Sequence, residues 1–499
     1  MKGSSRKRRL GAVGAGVVAV LAANRLGRRA SSTGLSPARR LLSPLGYALD
    51  RSVGWDKLPL PLALVVLVGI RDRLRQKNLY DPSPPLSTDR IPSPTGDARY
   101  LIARTPDGTY NDLEYPTMGS AGTRFGRNMP LEHSHREPEP RLMHPNPRTV
   151  SRELQTRDTF KPATTLNVLA AAWLQFMTRD WFSHGRAERE NPWKLPLKEG
   201  DPWHENPMQI ERIRKDPTRT AEDDAAGLPP TSVNTETHWW DASQMYGSTK
   251  QFQSLIRTGV DGKVIMGEDG VIHMPDSFLI EAGSVAGWWV GLGMLHTLFM
   301  HEHNCICDRL KAEYPHWTDD DLFDRARLIN AALLAKIHTV EWTPGILGHP
   351  ALKIGMDANW WGLATERVYK LLGRISDSEV ISGIPGSEPN HYDVPYTLTE
   401  EFVSVYRMHP LIPDDYAFYS ALTGKLREEL SLNQMAGVKA QPALERLGVE
   451  DILYSFGIAH PGAITLHNFP RDLQRFERPD GAVIDMAAID IMRVREMGV

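Results

Sequence analysis

The sequence predicts a mainly helical protein with long loops, most of it forming one large domain. Apolar residues recur with the period of a helix in four segments, residues 164–184, 285–311, 319–343 and 398–409. Strand signals are few, and the chain shows no internal repeat. Two polar stretches that carry glycine and proline, residues 186–235 and 376–396, are predicted to be long connections between helices.

The third of these helices has a predicted start at Thr318. This threonine precedes Asp319, Asp320 and Asp321. A threonine hydroxyl can accept a hydrogen bond from a free backbone amide at a helix N-terminus. Carboxylates are favourable in the first turn because the amino end of a helix carries partial positive charge. The helix is therefore expected to begin just after Thr318.

Composition is that of an ordinary globular protein, with 41% hydrophobic and 24% charged residues. The net charge of −3 argues against a general nucleic-acid binder. Cys305 and Cys307 are the only two cysteines. On a helix they would point about 200° apart, so we expect neither a disulfide nor a chelating pair. A reducing compartment suits such a chain.

The first 50 residues predict a segment that lies on a membrane surface. Basic residues flank an apolar run of 14 residues, 10–23, shorter than the roughly 20 that a spanning helix needs. An interfacial anchor is favoured over a signal-peptide core, so a membrane-associated and otherwise cytoplasmic protein is expected, with secretion left open. Residues 51–499 would form the main domain, with a linker-like stretch at residues 81–99. A second apolar run, residues 58–70, predicts either a buried helix or a membrane-surface element.

Residues 402–413 contain the most informative pair, Tyr406 and His409. On a helix the two side chains would stand at i and i+3 and project from one face. A histidine presented in this way can ligate a metal or a haem iron, with the phenol as a redox-active neighbour. Pro410 and Pro413 would end or kink the helix just past the histidine. The alternative is a core tyrosine beside a hydrogen-bonded core histidine.

Residues 404–414 resemble the proximal-haem segment of the fatty-acid alpha-dioxygenases of plants, which belong to the cyclooxygenase and animal-type haem peroxidase superfamily. Further stretches resemble the same family in the same order, at residues 107–113, 125–128, 145–147, 151–154, 172–177, 240–248 and 302–304. The resemblance covers the chain from about residue 50 to its end. Eight ordered motifs are a specific signal.

The resemblance implies a helical haem-peroxidase-like fold and an oxidoreductase that binds haem b. His409 would ligate the iron, and Tyr406 would carry a tyrosyl radical. The radical would take a hydrogen from the carbon next to a fatty-acid carboxylate, and O₂ would add to give a 2-hydroperoxy acid, an oxylipin. Asn468 is expected to hydrogen-bond on the proximal side, near His409.

A second group of residues suggests a calcium site. Carboxylates, hydroxyls and backbone carbonyls are the hard oxygen donors that Ca²⁺ prefers. The resemblance implies that the ligands are Asp180, Thr237, the carbonyl of Trp239, Asp241 and Ser243. An ordinary turn stabilised by aspartate and serine is the alternative.

Arg179 departs from the family pattern, Phe-Met-x-His-Asp-Trp, because this chain reads Phe-Met-Thr-Arg-Asp-Trp at residues 176–181. Histidine at that position acts as a base toward bound peroxide. Arginine stays protonated and cannot accept that proton, although it can stabilise negative charge. His184 is no simple substitute, since five residues on it lies about 140° around a helix. The distal arginine of mammalian peroxidases would match a position near Val285, in an arginine-free stretch.

His338 and Thr343 match the family segment that holds the fatty-acid carboxylate. A protonated histidine with a hydroxyl is a reasonable anion clamp, although a histidine within a helix is more often a core residue. A third clamp residue of the family, an arginine, lies in a C-terminal region beyond the position of Val499, so the main domain is expected to lack that region.

Fatty-acid alpha-dioxygenation is the function that these observations favour. One alternative is a haem peroxidase that uses H₂O₂ to oxidise small reductants. The other is a haem-binding protein with impaired catalysis, because Arg179 replaces the distal histidine.

Overall fold

The computed structural model describes residues 37–77, 79–83, 102–272, 287–387, 396–478 and 480–499. They form two compact units. The first contains the described residues up to Leu79 together with residues from 333 to 395, and the second contains those from Tyr80 to Ala332 and from Tyr396 to Val499. The predicted anchor lies mostly outside the described residues, as do most of residues 81–99 and the position of Val285.

Helices dominate the described residues, which confirms the predicted fold class. The α-helices are α1 Pro37–Val53, α2 Leu60–Lys77, α3 Pro147–Val150, α4 Leu169–Trp181, α5 Ala221–Ala225, α6 Ser243–Tyr246, α7 Lys250–Ile256, α8 Val290–Glu313, α9 Asp319–Ile337, α10 Thr343–Leu347, α11 Pro350–Trp361, α12 Glu366–Leu372, α13 Glu379–Ser382, α14 Glu400–Val405, α15 Ala440–Leu447, α16 Val449–Ile458, α17 Arg471–Gln474 and α18 Met486–Glu496. Two π-helical turns occur at Ser151–Gln155 and His338–Trp342.

Within the described residues, the strands form three small antiparallel sheets of two strands each. Their bounds are β1 Glu188–Leu195, β2 Met208–Arg212, β3 Asp415–Tyr419, β4 Leu426–Ser431, β5 Phe476–Glu477 and β6 Val483–Ile484. β1 pairs with β2, β3 with β4, and β5 with β6. Each sheet joins neighbouring parts of the chain, so the strands support helices and do not form a layer of their own.

Three of the four predicted helices appear with small shifts of their ends, as α4, α8 and α9. The fourth is much shorter than predicted, because α14 ends at Val405. Proline explains the early end: Pro410 has no N–H to donate to the carbonyl of Tyr406, and its ring would clash with that carbonyl in a continuous helix. The start of α9 is as predicted, since Thr318 Oγ1 accepts a hydrogen bond from the amide of Asp321 at 3.2 Å.

In the first unit, α2 is a partly buried helix. Ala63 and Leu64 pack in an apolar cluster with Ala351 of α11. The opposite side of α2 leaves Leu62 exposed. No helix in the described part of the chain is long and apolar enough to cross a membrane. The burial favours the buried-helix interpretation of residues 58–70.

In the second unit, aromatic packing fixes α4 against α8. Phe176 stacks on Phe299 with ring centroids 5.6 Å apart, and its ring meets that of His296 edge-on at 4.9 Å. Both phenylalanines are buried. Rings in these geometries add attraction beyond the area that they bury. The packing sets the direction of α4, and with it the position of Arg179 and Asp180 near its end.

A separate apolar cluster holds the C-terminal helix α18. Ala488 and Met492 of α18 pack against Trp193 and Leu195 of β1. At the start of α18, Asp485 Oδ2 accepts a 2.7 Å hydrogen bond from Arg148, and its Oδ1 caps the helix at the amide of Ala488. The helix is thereby fixed at both its core face and its amino end.

Candidate active site

A cavity of about 150 Å³ lies beside α4 in the second unit. Most of its wall is apolar, and its lining residues are Ala171, Leu174, Gln175, Thr178, Gly287, Trp288, Trp289, Tyr406, Met408, His409, Leu411, Ile412, Leu432, Ala436, Leu473, Phe476 and Met486. His409 is the single histidine in this lining, and Tyr406 the single tyrosine.

Tyr406 and His409 do not share a helix face, so that part of the prediction is wrong. Tyr406 is the first residue after α14, and His409 begins a separate 3₁₀ turn, His409–Leu411. The two side chains nevertheless line the same cavity. The chain leaves the helix after Val405 and turns before Pro410. This turn brings the side chains of Tyr406 and His409 to one cavity, as the predicted helix was expected to do.

Tyr406 is set among aromatic rings. Its ring is perpendicular to that of Trp181, at 5.3 Å between centroids, and lies 4.4 Å from that of Phe402. Burial raises the pKa of Tyr406. The phenol therefore keeps its proton at neutral pH, which is the state in which it can give up a hydrogen atom.

Asp490 of α18 is a residue that sequence reasoning missed. Its Oδ2 lies 2.6 Å from His409 Nδ1, and its Oδ1 accepts a 2.9 Å hydrogen bond from Arg407. Burial opposes its charge, yet His409 and Arg407 hold the pKa of Asp490 below its ordinary value. A carboxylate at Nδ1 fixes the tautomer and leaves Nε2 free to bind a metal. No local motif links positions so distant in sequence.

Asn468 does not pair with His409, which corrects its predicted role. Its amide oxygen accepts hydrogen bonds from Arg157 Nε at 2.9 Å and from the amide of Lys161 at 3.0 Å. Its amide nitrogen donates to the carbonyls of Lys161 and Ala463. Both polar atoms of its side chain are thus used in joining loops.

The same Arg157 holds the segment that follows His409. Its guanidinium donates to the carbonyls of Pro410 at 3.1 Å and Ile412 at 3.2 Å, and it pairs with Asp414 at 3.1 Å. Arg157 is 2% exposed. Charge-assisted hydrogen bonds from a buried guanidinium are among the stronger polar contacts in proteins, so the turn bearing His409 is firmly placed.

Arg179 lies next to the cavity at Gly287. A Cβ at Gly287 would be 3.7 Å from Arg179 Nη1 and 3.5 Å from Gln175 Nε2. Burial lowers the pKa of Arg179, and the charge of Glu236 opposes this. The guanidinium remains a cation at neutral pH, because arginine is not deprotonated in proteins. The side chain can therefore attract negative charge but cannot act as a base.

Two other histidines near α4 have structural partners. His184 Nε2 lies 3.0 Å from Glu400 Oε2, and His296 contacts the carbonyls of Leu292 at 2.8 Å and Gln244 at 3.2 Å. Burial lowers the pKa of His296 to about 4, so it is neutral at pH 7. Neither histidine lines the cavity. The prediction that His184 does not replace a distal histidine agrees with this placement.

The predicted calcium ligands converge on the end of α4. Ser243 donates two hydrogen bonds to Asp180 Oδ1, from its amide at 2.6 Å and from its hydroxyl at 3.0 Å. Thr237 Oγ1 donates to the carbonyl of Trp239 at 3.3 Å. Asp180, Thr237 and Asp241 are all buried. The α4 end and the loop of residues 237–243 are therefore in direct contact.

The two carboxylates of this group destabilise one another. Burial first, and the charge of Asp241 second, raise the pKa of Asp180 well above its ordinary value. Burial likewise raises the pKa of Asp241, although Arg327 and Arg104 oppose this. Arg327 Nη2 is 3.4 Å from Asp241 Oδ2, a long contact for an ion pair. Two buried acids whose charges repel one another fit a site for a cation.

His338 and Thr343 belong to the first unit, where they flank a π-helical turn. Thr343 Oγ1 donates to the carbonyl of His338 at 2.9 Å, and the imidazole stacks on Trp342 with centroids 4.7 Å apart. Burial lowers the pKa of His338 to about 4. The imidazole is therefore neutral at pH 7 in this structure, in place of the protonated form that was predicted.

Comparison with known sequences identifies the class of protein. The protein-family model described as animal haem peroxidase matches residues 103–499. The chain therefore belongs to that family. Alpha-dioxygenase PIOX of Oryza sativa subsp. japonica is 33% identical over 91% of this chain and 73% of its own length. Alpha-dioxygenase 1 of Arabidopsis thaliana is 33% identical over 92% of this chain and 72% of its own length. Within the family, the chain belongs with the alpha-dioxygenases.

Solved structures agree with this assignment. The structure of Oryza sativa fatty acid alpha-dioxygenase with palmitic acid superposes with a TM-score of 0.82 at 30% identity, over 94% of this chain and 77% of the rice chain. Peroxidase A from Dictyostelium discoideum, at 18% identity and a TM-score of 0.58, shares the fold. The recognised family and the helical haem-peroxidase fold are thus confirmed.

We predict that His409→Ala abolishes the Soret band of haem-reconstituted protein while far-ultraviolet circular dichroism stays near wild type.

Asp490→Asn should keep the Soret band but weaken haem binding about 10–100-fold, the usual effect of losing a partner of a metal-ligating histidine. The haem reduction potential should rise, because the imidazole becomes a weaker donor. Asp415→Asn, an exposed aspartate, is the control. Unchanged affinity and potential in Asp490→Asn would contradict the assigned contact.

Proposed function

We propose that this protein is a haem-dependent fatty-acid alpha-dioxygenase, with haem b held in the cavity by His409. The observation that carries the proposal is that Tyr406 and His409, although on separate turns, line one apolar cavity. Apolar walls with a single histidine donor fit a b-type haem. The similarity to a rice alpha-dioxygenase whose structure contains palmitic acid supports a fatty acid as the substrate.

The proposed reaction uses Tyr406 as the group that touches the substrate. Bound haem that a hydroperoxide has oxidised would take one electron from the phenol of Tyr406, whose proton would pass to water. The phenoxyl oxygen of Tyr406 then takes a hydrogen atom from the carbon next to the carboxylate, and O₂ adds to that carbon. Return of a hydrogen atom from Tyr406 gives the 2-hydroperoxy acid. The aromatic rings of Trp181 and Phe402 hold the phenol and keep it from turning away from the cavity.

His338 and Thr343 are the proposed holders of the substrate carboxylate. A neutral imidazole can donate one hydrogen bond to a carboxylate. The Thr343 hydroxyl can donate a second if it rotates away from the carbonyl of His338, to which it donates in this structure. The carboxylate would raise the lowered pKa of His338, since an opposite charge favours the protonated form. Binding of the acid and protonation of His338 would therefore be linked.

A membrane surface is the proposed source of this substrate. Helix α1 exposes Leu45, Leu49 and Val53, spaced four residues apart and so on one face. Arg51 stands in its last turn. An exposed apolar stripe with a basic neighbour suits contact with an anionic lipid surface. Peripheral association would place the protein where fatty acids are concentrated.

Calcium is proposed for the site formed by Asp180, Thr237, the carbonyl of Trp239, Asp241 and Ser243. A divalent cation would relieve the repulsion between the two buried carboxylates. It would also tie the loop of residues 237–243 to α4, next to the cavity. The role is structural, since none of these residues lines the cavity.

The proposed reaction is tested by oxygen uptake of haem-reconstituted protein with palmitic acid. Wild type should consume oxygen and form a 2-hydroperoxy acid, identified by mass spectrometry. Tyr406→Phe should keep the Soret band and reduce the oxygen uptake to that of free haem, because phenylalanine lacks the phenolic O–H that forms the radical. Tyr454→Phe, an exposed tyrosine on α16, is the matched control. A wild type without uptake would contradict the proposal.

Arg179→His should speed the reaction with H₂O₂, because imidazole can accept and return a proton. A positioned acid–base group is typically worth about 10²–10⁴ in rate, which stopped-flow absorption of the haem resolves. Arg179→Lys keeps the charge without a base and is the control. If wild type already reacts as fast as the histidine variant, Arg179 acts by its charge and catalysis is not impaired.

Removal of calcium should lower the melting temperature. Ligand at a hundred times its dissociation constant stabilises the folded state by about 2.7 kcal/mol. Asp241→Asn should melt at the same temperature with and without a chelator, since it removes one charged ligand. Asp224→Asn, at an exposed position on α5, should respond as wild type does. If neither chelator nor added calcium changed the melting temperature of the wild type, the site would be an ordinary turn stabilised by aspartate and serine.

A further inference from the structure

The guanidinium of Arg179 is a charged group beside the cavity. Gly287 lines the cavity, and a Cβ at that residue would be 3.7 Å from Arg179 Nη1. Because glycine has no Cβ, no side chain of residue 287 separates the guanidinium from the cavity. Arg179 is partly buried, and it makes no hydrogen bond and no ion pair with any residue that the structure describes. A partly buried cation whose N–H groups lack partners fits a site for an anion.

Glu236 is an acidic residue whose charge acts on Arg179. Its carboxylate accepts a hydrogen bond from the hydroxyl of Ser248. Glu236 lines a different pocket, which we call the Glu236 pocket and which also contains Arg186, Arg214 and Lys215. The interaction between Glu236 and Arg179 is therefore one of charge across a distance, and it leaves the N–H groups of the guanidinium free to donate.

The polar side chains next to Arg179 in the cavity wall already have partners. Gln175 Nε2 donates to the carbonyl of Gly287 at 2.9 Å, and its Oε1 accepts a 2.7 Å hydrogen bond from Trp289 Nε1. Thr178 Oγ1 donates to the carbonyl of Gln175 at 3.0 Å. Within the described chain, no aspartate or glutamate lines the cavity. An anion that entered would meet the Arg179 cation and no carboxylate in the wall.

A small carboxylate is the anion that matches this cation best. A guanidinium is planar, and its parallel N–H groups can bind both oxygens of one carboxylate. A single-atom anion would use this geometry only in part. The cavity of about 150 Å³ limits the size of the bound group, and its apolar walls accept a short alkyl chain. A carboxylic acid is already ionised at neutral pH, so its binding needs no base.

We propose that Arg179 forms a carboxylate-binding site at the Gly287 wall of the cavity, separate from the site proposed at His338 and Thr343. The bound group is either a free short-chain carboxylate, such as formate or acetate, or the carboxyl end of the fatty acid. Only the second source rests on the proposed function. A short-chain carboxylate would compete with peroxide for the space in the cavity.

The first test measures carboxylate binding to the full chain, with and without haem. Fluorine nuclear magnetic resonance should show line broadening of trifluoroacetate by wild type, and none of trifluoroethanol, its neutral analogue. Arg179→Met removes the charge and should weaken trifluoroacetate binding about tenfold or more, because hydrogen bonds to charged groups are strong. Arg179→Lys should keep part of the affinity. Equal binding of trifluoroacetate by wild type and Arg179→Met would overturn the proposal.

Arg214→Met is the matched control, because Arg214 is an exposed arginine of the Glu236 pocket and does not line the cavity. It should bind trifluoroacetate as wild type does. Loss of binding in Arg214→Met, with binding kept in Arg179→Met, would place the anion in the Glu236 pocket and overturn the proposal. Far-ultraviolet circular dichroism checks the fold of each variant. If Arg179→Met does not fold, Arg179→Gln should show the same loss.

A second measurement uses the haem as the reporter. Formate should shift the Soret band of haem-reconstituted wild type, and about ten times more formate or still more should be needed for the same shift in Arg179→Met. Arg214→Met should need the same formate concentration as wild type. If wild type and Arg179→Met gave the same formate titration, the site would not lie beside the haem and the proposal would be overturned.

Oxygen uptake with palmitate separates the two sources of the carboxylate. If Arg179 binds the carboxyl end of the fatty acid, Arg179→Met should raise the KM for palmitate about tenfold, and acetate should compete with palmitate. If the ligand is a free short-chain carboxylate, the KM for palmitate should stay unchanged. Acetate should then inhibit wild type and not Arg179→Met. Both results support the carboxylate site.

Failure of this proposal can be told from failure of the proposed function. Wild type that takes up oxygen with palmitate but broadens the trifluoroacetate signal no more than that of trifluoroethanol lacks the carboxylate site and keeps the dioxygenase. Wild type that binds trifluoroacetate through Arg179 and takes up no oxygen has the carboxylate site without the dioxygenase.

Discussion

The contact between the His409 imidazole and the Asp490 carboxylate is the interaction on which the cavity depends. It joins the turn after α14 to the C-terminal helix α18. Arg407 completes the contact on the other carboxylate oxygen, and Arg148 anchors the start of α18 through Asp485. Each link is a short charge-assisted contact between partly or fully buried groups, which is where such contacts are strongest. The orientation of the histidine is thus tied to the packing of a helix from the far end of the chain.

The sequence predicted the fold class and drew attention to Tyr406 and His409, two of the residues that line the cavity, but it did not predict their geometry. Periodicity located α4, α8 and α9, and the carboxylate cluster after Thr318 marked the start of α9. It failed at α14, where two residues at helical spacing are separated by a turn that Pro410 imposes. A periodic pattern cannot show that a helix ends inside it, whereas a proline can. Pro410 predicts an end just past His409, but the helix ends earlier, at Val405.

Asp490 and Asn468 show where sequence reasoning meets its limit. Nothing near Asp490 in sequence marks it as the partner of His409, because the contact exists only once α18 has packed on β1. Asn468 looked like such a partner, but its amide joins two loops. Burial also decides the protonation state of His338, because it lowers the pKa of this histidine to about 4. The sequence does not show that His338 is buried. Long-range packing decided each of these outcomes.

Arg157 holds the turn after His409 by binding backbone carbonyls at Pro410 and Ile412. Every residue has a main-chain carbonyl oxygen, so these hydrogen bonds from Arg157 do not depend on which residues stand at positions 410 and 412. The wall of the cavity at Ile412 can therefore change in size and shape through substitution while His409, the proposed iron ligand, keeps its place. A single buried cation thus lets the shape of the cavity vary independently of the position of that histidine.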